Sequence, residues 1–200
     1  VLSAEHFQEE IAAARRLMSD LASDRALHAV AARVAQACLD SLRAGNKILF
    51  VGNGGSAADS QHLAAEFVSR FNFDRPGLPA IALTTDTSAL TAISNDYGFK
   101  KVFSRQLQAV GKKGDVLFAI STSGRSPNLL AAAAAAARIG ITTVGLTGAA
   151  GGALREVADH CLSVPSTVTA KIQEGHIVLG HAICGLVERM YFPAQGARTG

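Results

Sequence analysis

The chain has no tryptophan, two methionines, two tyrosines and three cysteines in 200 residues. The cysteines, Cys38, Cys161 and Cys184, are odd in number and far apart, with no CxxC pair. That pattern argues against a redox or metal role and for reduced thiols in a core. Cys184, three residues after His181, is the one whose surroundings matter most. No apolar run is long enough to span a membrane. The opening VLSAEHFQEE is acidic where a secretory signal is basic, so the expected location is the cytoplasm. Basic blocks and aromatic-interleaved stripes are also missing, and the formal charge is only +3. Nucleic acid is therefore not an expected partner, and a small phosphorylated ligand suits the balance better. No composition break, linker or internal repeat divides the chain, so residues 1–200 are expected to form one domain.

What is present belongs to a globular protein: 48% hydrophobic and 18% charged residues, on a length that can bury a full core. Two helical stretches come first, over roughly 5–20 and 25–44, and make an N-terminal helical extension of about 1–45. Five short apolar runs then alternate with helical segments: Lys47–Val51, Ala80–Thr84, Asp115–Ser121, Thr142–Leu146 and Cys161–Val164. An apolar helix from about Ile172 to Met190 closes the pattern. Such alternation predicts an α/β fold, a doubly wound five-stranded parallel sheet flanked by helices. The seven alanines 131–137 read as a thin helix lying close on that sheet, started by Ser126-Pro127.

Ligands of doubly wound sheets sit beyond the carboxyl ends of the strands, and two strand-to-helix turns there are suggestive. Asn53-Gly54-Gly55-Ser56 follows the first strand; it is either a ligand cradle, with Asn53 and Ser56 on sugar hydroxyls, or a common glycine turn with Ser56 as N-cap. After the third strand, Ser121-Thr122-Ser123-Gly124-Arg125-Ser126 offers hydroxyls and free N–H groups at a helix start, which suits a phosphate. It lacks the lysine and spacing of a Walker loop. The segment Thr84–Ser88 and Ser94–Phe99 is rich in turn formers; it reads as caps and turns, or as a loop that brings Asn95 and Asp96 to sugar hydroxyls.

His62 and Glu66 fall on one helix face, four residues apart, either as a surface pair or as part of a site. Gln173, Glu174, His176 and His181 fall on the last helix. Two imidazoles, a carboxylate and an amide oxygen could hold a divalent metal, with zinc favoured by the imidazoles. Gln173 and His181 are separated by about 12 Å of rise and roughly 80° of rotation in a regular helix. Both reach one metal only if the side chains lean together, if Gln173 lies in an irregular first turn, or if the two come from different subunits. A site against a subunit interface is the expectation.

These residues together resemble the phosphoheptose isomerase family within the sugar-isomerase (SIS) domains. The resemblance runs through GNGGSAADSQHLAAEFVSRF, RPGLPAIALTTDTSALTAISNDYGF, STSGRSPN and KIQEGHIVLGHAICGLVE. It implies a flavodoxin-like three-layer sandwich and conversion of sedoheptulose 7-phosphate to D-glycero-D-manno-heptose 7-phosphate, the first step toward activated heptose for bacterial lipopolysaccharide or surface polysaccharide. It also implies a homotetramer with active sites between subunits, and one zinc per subunit held by His62, Glu66, Gln173 and His181. Ser121, Thr122, Ser123 and Ser126 would bind the phosphate, while Asn53, Gly54, Gly55, Ser56, Asn95 and Asp96 would line the sugar, with Glu66 and Gln173 beside it. Lys171 stands where arginine is frequent in that family. Two other readings are a binding-only SIS relative that contacts a replication initiator and a sugar-phosphate sensor. The first lacks equivalents of Glu66 and His181, and this chain has both. For a ketose-to-aldose conversion through an enediol, Glu66 is the expected carbon base and His181 the partner acid–base.

Overall fold

The computed structural model describes residues 3–193. Helices α1 (Ala4–Ser23) and α2 (Arg25–Arg43) lead into β1 (Ile48–Gly52) and α3 (Gly55–Val68). Then come β2 (Ala80–Ala82), α4 (Thr87–Tyr97), a 3-10 turn Phe99–Lys101, α5 (Val102–Val110), β3 (Val116–Ile120) and α6 (Pro127–Ile139). The order ends with β4 (Thr142–Thr147), α7 (Gly152–Val157), β5 (His160–Ser163) and α8 (Thr169–Tyr191). All five expected strands are found, with ends displaced by at most two residues. The two ends of the expected 1–200 unit lie outside the described residues.

The strands form one parallel sheet in the order β2-β1-β3-β4-β5. Alternating strand residues point to opposite faces, so each strand serves two cores. Ile48, Phe50, Phe118, Val144 and Leu162 pack with α1, α2, α3 and α8. Leu49, Val51, Leu117 and Ala119 pack with α5, α6 and α7 on the other face. This is the three-layer α/β arrangement expected from the strand–helix alternation. The polyalanine helix α6 does lie close on the sheet: Ala132, Ala133, Ala135 and Ala136 are buried. Pro127 opens that helix at its first turn.

One expectation changes. The turn-rich stretch after β2 is not mainly turn, because Asp86 accepts a hydrogen bond from Ala89 N at 2.9 Å and caps an 11-residue helix, α4. Such capping by aspartate is the reason a turn-forming composition also starts helices well. No side chain of α4 is buried.

Helix α8 is tied to the sheet by a histidine that the site chemistry does not use. His176 Nε2 donates to Thr147 O at 3.1 Å at the end of β4, and the ring is fully buried. That bond places the proton on Nε2 and leaves Nδ1 without a protein partner among the described residues. Burial lowers the pKa from 6.5 to about 4, against a smaller opposing effect of the Thr147 carbonyl. Between those values the unfolded chain binds a proton that the native chain refuses, so stability falls as pH drops from about 6.5 toward 4. At about 1.36 kcal/mol per pH unit the loss approaches about 3 kcal/mol. Urea denaturation between pH 4 and 7 should show that slope, and His176→Gln should flatten it.

Candidate active site

Strand order reverses direction between β1 and β3, and in such sheets the crevice beyond the carboxyl ends at that point is where ligands bind. The glycine loop after β1 and the serine loop after β3 both stand there. Asn53 and Asn128 clamp them together: Asn53 Nδ2 donates to Asn128 Oδ1 at 3.0 Å, and Asn128 Nδ2 donates back to Asn53 Oδ1 at 2.8 Å. Asn53 thus clamps the two loops together. Asn128, at the end of the quoted serine motif, has a part that sequence reasoning missed. Gly54 has φ +55° and ψ −122° and occupies the N-cap of α3, a backbone state for which glycine is needed. Ser56 is accordingly not the N-cap; it lies buried inside the first turn.

In the serine loop, Ser121 Oγ accepts from Gly124 N at 3.1 Å and lies 3.3 Å from Ser126 Oγ. Ser123 Oγ accepts from Arg125 N at 3.3 Å. Ser126 occupies the N-cap position of α6 without making a side-chain capping bond. Thr122, Ser123 and Arg125 line a hollow of about 210 Å³ with residues that follow β4 and β5. Asn95 and Asp96 are exposed at the end of α4, where Asn95 Nδ2 donates to Asp96 Oδ1 at 2.8 Å.

The third component forms where α3 and α8 cross. His62 Nε2 lies 2.8 Å from His181 Nε2 and 3.4 Å from Glu66 Oε1. One ligand atom from each of His62, Glu66 and His181 falls within 4.8 Å of the others, all from a single chain. The His62 side chain is 48% exposed and that of Glu66 20%, so the cluster opens to solvent. Phe71 backs it, its ring centroid 5.4 Å from that of His181. The close crossing depends on Gly180: a Cβ there would stand 2.6 Å from Leu63 Cδ2, and Leu63 is buried.

Gln173 does not join the cluster along α8. Its side chain lies against Gly55 at the start of α3, and α8 is helical from Thr169, so no irregular first turn brings it to His181. Cys184 is buried, and burial with the nearby Glu66 and Glu188 carboxylates pushes its thiol up to about 12. It is a packed thiol in the core. Asp59, one turn before His62, also escaped the sequence reading; burial raises its carboxyl pKa, and His62 partly offsets that.

The SIS domain model matches residues 8–148. A phosphoheptose isomerase from Burkholderia pseudomallei is 60% identical over 190 residues, covering 95% of this chain and 96% of that protein. The chain belongs to the phosphoheptose isomerase family. The solved structure of the family member from Neisseria gonorrhoeae superposes with a TM-score of 0.86 at 44% identity, covering 92% of this chain and 97% of that one. The one from Francisella tularensis gives 0.90 at 35% identity, covering 94% and 100%. Among the described residues, no helix is long and apolar enough to cross a membrane.

For a phosphoheptose isomerase the α3–α8 crossing is then the part that brings the ionisable groups together, and Gly180 controls it. Gly180→Ala should destabilise the protein by about 1–3 kcal/mol, the usual overpacking range. It should also cut turnover per folded molecule; denaturation and steady-state assays on the same preparation measure both.

Proposed function

We propose that this protein isomerises sedoheptulose 7-phosphate to D-glycero-D-manno-heptose 7-phosphate in the cytoplasm, at the start of activated-heptose synthesis for lipopolysaccharide or surface polysaccharide. The observation that carries the reading is the His62–Glu66–His181 cluster at the α3–α8 crossing. It lies along the same helix whose N-terminus opens on the switch-point loops. His62 is about 9 Å of helix rise beyond Ser56. The phosphate of an extended sugar at the serine loop would leave its reacting carbons toward the cluster.

The reaction removes a proton from C1 of the ketose while the C2 oxygen gains one, giving the enediol. Loss of the O1 proton and return of a proton to C2 then give the aldose. Glu66 carries the carbon-bound proton, and His181 moves protons at the oxygens. The serine-loop residues Ser121, Thr122, Ser123 and Ser126 hold the phosphate through hydroxyls and N–H groups at the start of α6. Gly54, Gly55, Ser56, Asn95 and Asp96 border the sugar, and Asn53 keeps the two loops at their spacing.

Two imidazoles and a carboxylate are a donor set suited to zinc. Atoms bonded to one zinc at about 2.0–2.2 Å lie roughly 3–3.5 Å apart, so the observed cluster needs only small side-chain shifts. His62, Glu66 and His181 would hold the ion, with Gln173 contributed by another subunit. When bound, zinc polarises the carbonyl and orients its neighbouring oxygens. A carboxylate held tightly by such an ion would be a weaker base, so the ligand and base roles of Glu66 would compete.

A homotetramer fits the apolar surface left on the helical layer. Met18, Leu21, Ala31, Leu179, Ile183 and Leu186 line a hollow of about 320 Å³ among α1, α2 and α8. Phe7 and Ile11 on α1 are 67% and 69% exposed. Patches of that kind mark association surfaces.

Incubation with sedoheptulose 7-phosphate, with and without chelator, should yield the aldose and show how far turnover needs the metal. Glu66→Gln and His181→Ala should each lower kcat at least about 100-fold, the scale of general acid–base catalysis, with the oligomer unchanged by light scattering. Near-normal turnover in either variant would overturn the assignment. Ser123→Ala should chiefly raise KM for the phosphorylated sugar.

A further inference from the structure

Directly beneath the cluster lies an ion pair that the isomerisation chemistry does not use. Arg75 Nε donates to Glu188 Oε1 at 2.9 Å, and both side chains are 1% exposed. Charges that deep are tolerated only where further hydrogen bonds satisfy them, and here they reach both sides of the site. Glu188 Oε1 also accepts from Phe71 N at 2.8 Å, and Oε2 accepts from Asn72 N at 2.7 Å. Arg75 Nη2 donates to Glu66 O at 2.7 Å. Arg75 Nη1 reaches the carbonyls of Phe67 at 2.6 Å, Ser69 at 3.0 Å and Pro76 at 3.1 Å.

The geometry is specific to the site. Carbonyls of a helix's last turn have no partner within the helix, and α3 ends at Val68. Arg75 therefore caps the very turn that carries Glu66. Glu188 follows His181 by seven residues, two turns along the same face of α8. Through Phe71 N it also holds the residue whose ring packs on His181. One guanidinium–carboxylate knot thus fixes the backbone of Glu66, the ring behind His181 and the helix that bears His181. An apolar pair could supply comparable stability, but it could not offer donors to two carbonyls of α3 and acceptors to two N–H groups of the loop.

We propose that Arg75 and Glu188 are positioning residues that set Glu66 against His181, so that the pair controls turnover and metal affinity rather than stability alone. The proposal rests on the reading of Glu66 and His181 given above. Lysine at position 75 would keep the charge next to Glu188. It would lose the planar fork that spans Glu188 and the α3 carbonyls.

The test compares full-length wild type, Glu188→Gln, Arg75→Lys and Glu66→Gln. It reads thermal unfolding, kcat and KM with sedoheptulose 7-phosphate, and zinc affinity by competition with a chromophoric chelator. Glu188→Gln and Arg75→Lys should each remain folded yet lose about tenfold or more in kcat and in zinc affinity, as partners of metal ligands do. KM should move less than about threefold. Phe71→Leu leaves the ion pair intact and removes the ring behind His181; it should show the same split, and it decides the matter should the other two fail to fold. Folded variants with wild-type kcat and zinc affinity, alongside an inactive Glu66→Gln, would overturn the proposal. Full turnover in Glu66→Gln would defeat the functional reading instead. The zinc titration would then decide the positioning proposal, with unchanged affinity overturning it.

Discussion

The close crossing of α3 and α8 is the constraint on which the rest of the site depends. The sheet alone delivers two loops at its switch point, as many α/β proteins do, and a hollow lined from the ends of β3, β4 and β5 beside the serine loop. It does not deliver His181, which enters from the far end of the chain on a helix that packs across α3. Gly180 against Leu63 lets the two backbones approach. His176, one turn nearer the start of α8, ties that helix to the end of β4. With both fixtures set, His181, the residue after Gly180, is carried to within 2.8 Å of His62.

The site consequently has two poles with different physical requirements. At the loops the need is for oriented dipoles and hydroxyls, and the Asn53–Asn128 exchange holds the loops at fixed spacing without introducing charge. At the crossing the need is for ionisable groups that a substrate can reach, and His62 and Glu66 remain partly exposed. The charge of Arg75 and Glu188, which braces the backbone around the site, is almost fully removed from solvent and neutralised in place. The Arg75 fork is turned to the Glu66 carbonyl and not to its carboxylate, which leaves that carboxylate facing His62.

Strand positions were legible because buried parallel strands leave near-continuous apolar runs such as Ile48–Val51 and Val116–Ile120. The His62–Glu66 pair was legible as helical spacing, and His181 as an imidazole on an apolar face. Its meeting with His62 was not, because 119 residues separate them and only tertiary packing sets the distance. Helix α4 was obscured because Thr, Ser, Asn and Asp signal caps and turns as readily as an exposed helix. The structural partners were hidden for a related reason. Arg75 stands in a proline–glycine stretch and Glu188 near a helix end, places where a charge is ordinarily solvated. What marks Glu188 in retrospect is its spacing of four from the buried Cys184, on the core face of α8.

Gln173 shows how far one chain can complete the site. Its side chain is held near Gly55, two turns of α3 away from His62, and the regular course of α8 fixes that separation. On the zinc reading proposed above, a set of four ligands would take Gln173 from a neighbouring subunit. Exposure bears on the same reading. An enediol intermediate is best handled where water is excluded, yet His62 is about half exposed in the single chain. A second copy placed over the α3–α8 crossing would supply the missing amide, cover the imidazoles and bury the apolar surface beside them. Assembly and catalysis would then share one requirement, and the angle at which α8 crosses α3 would set both.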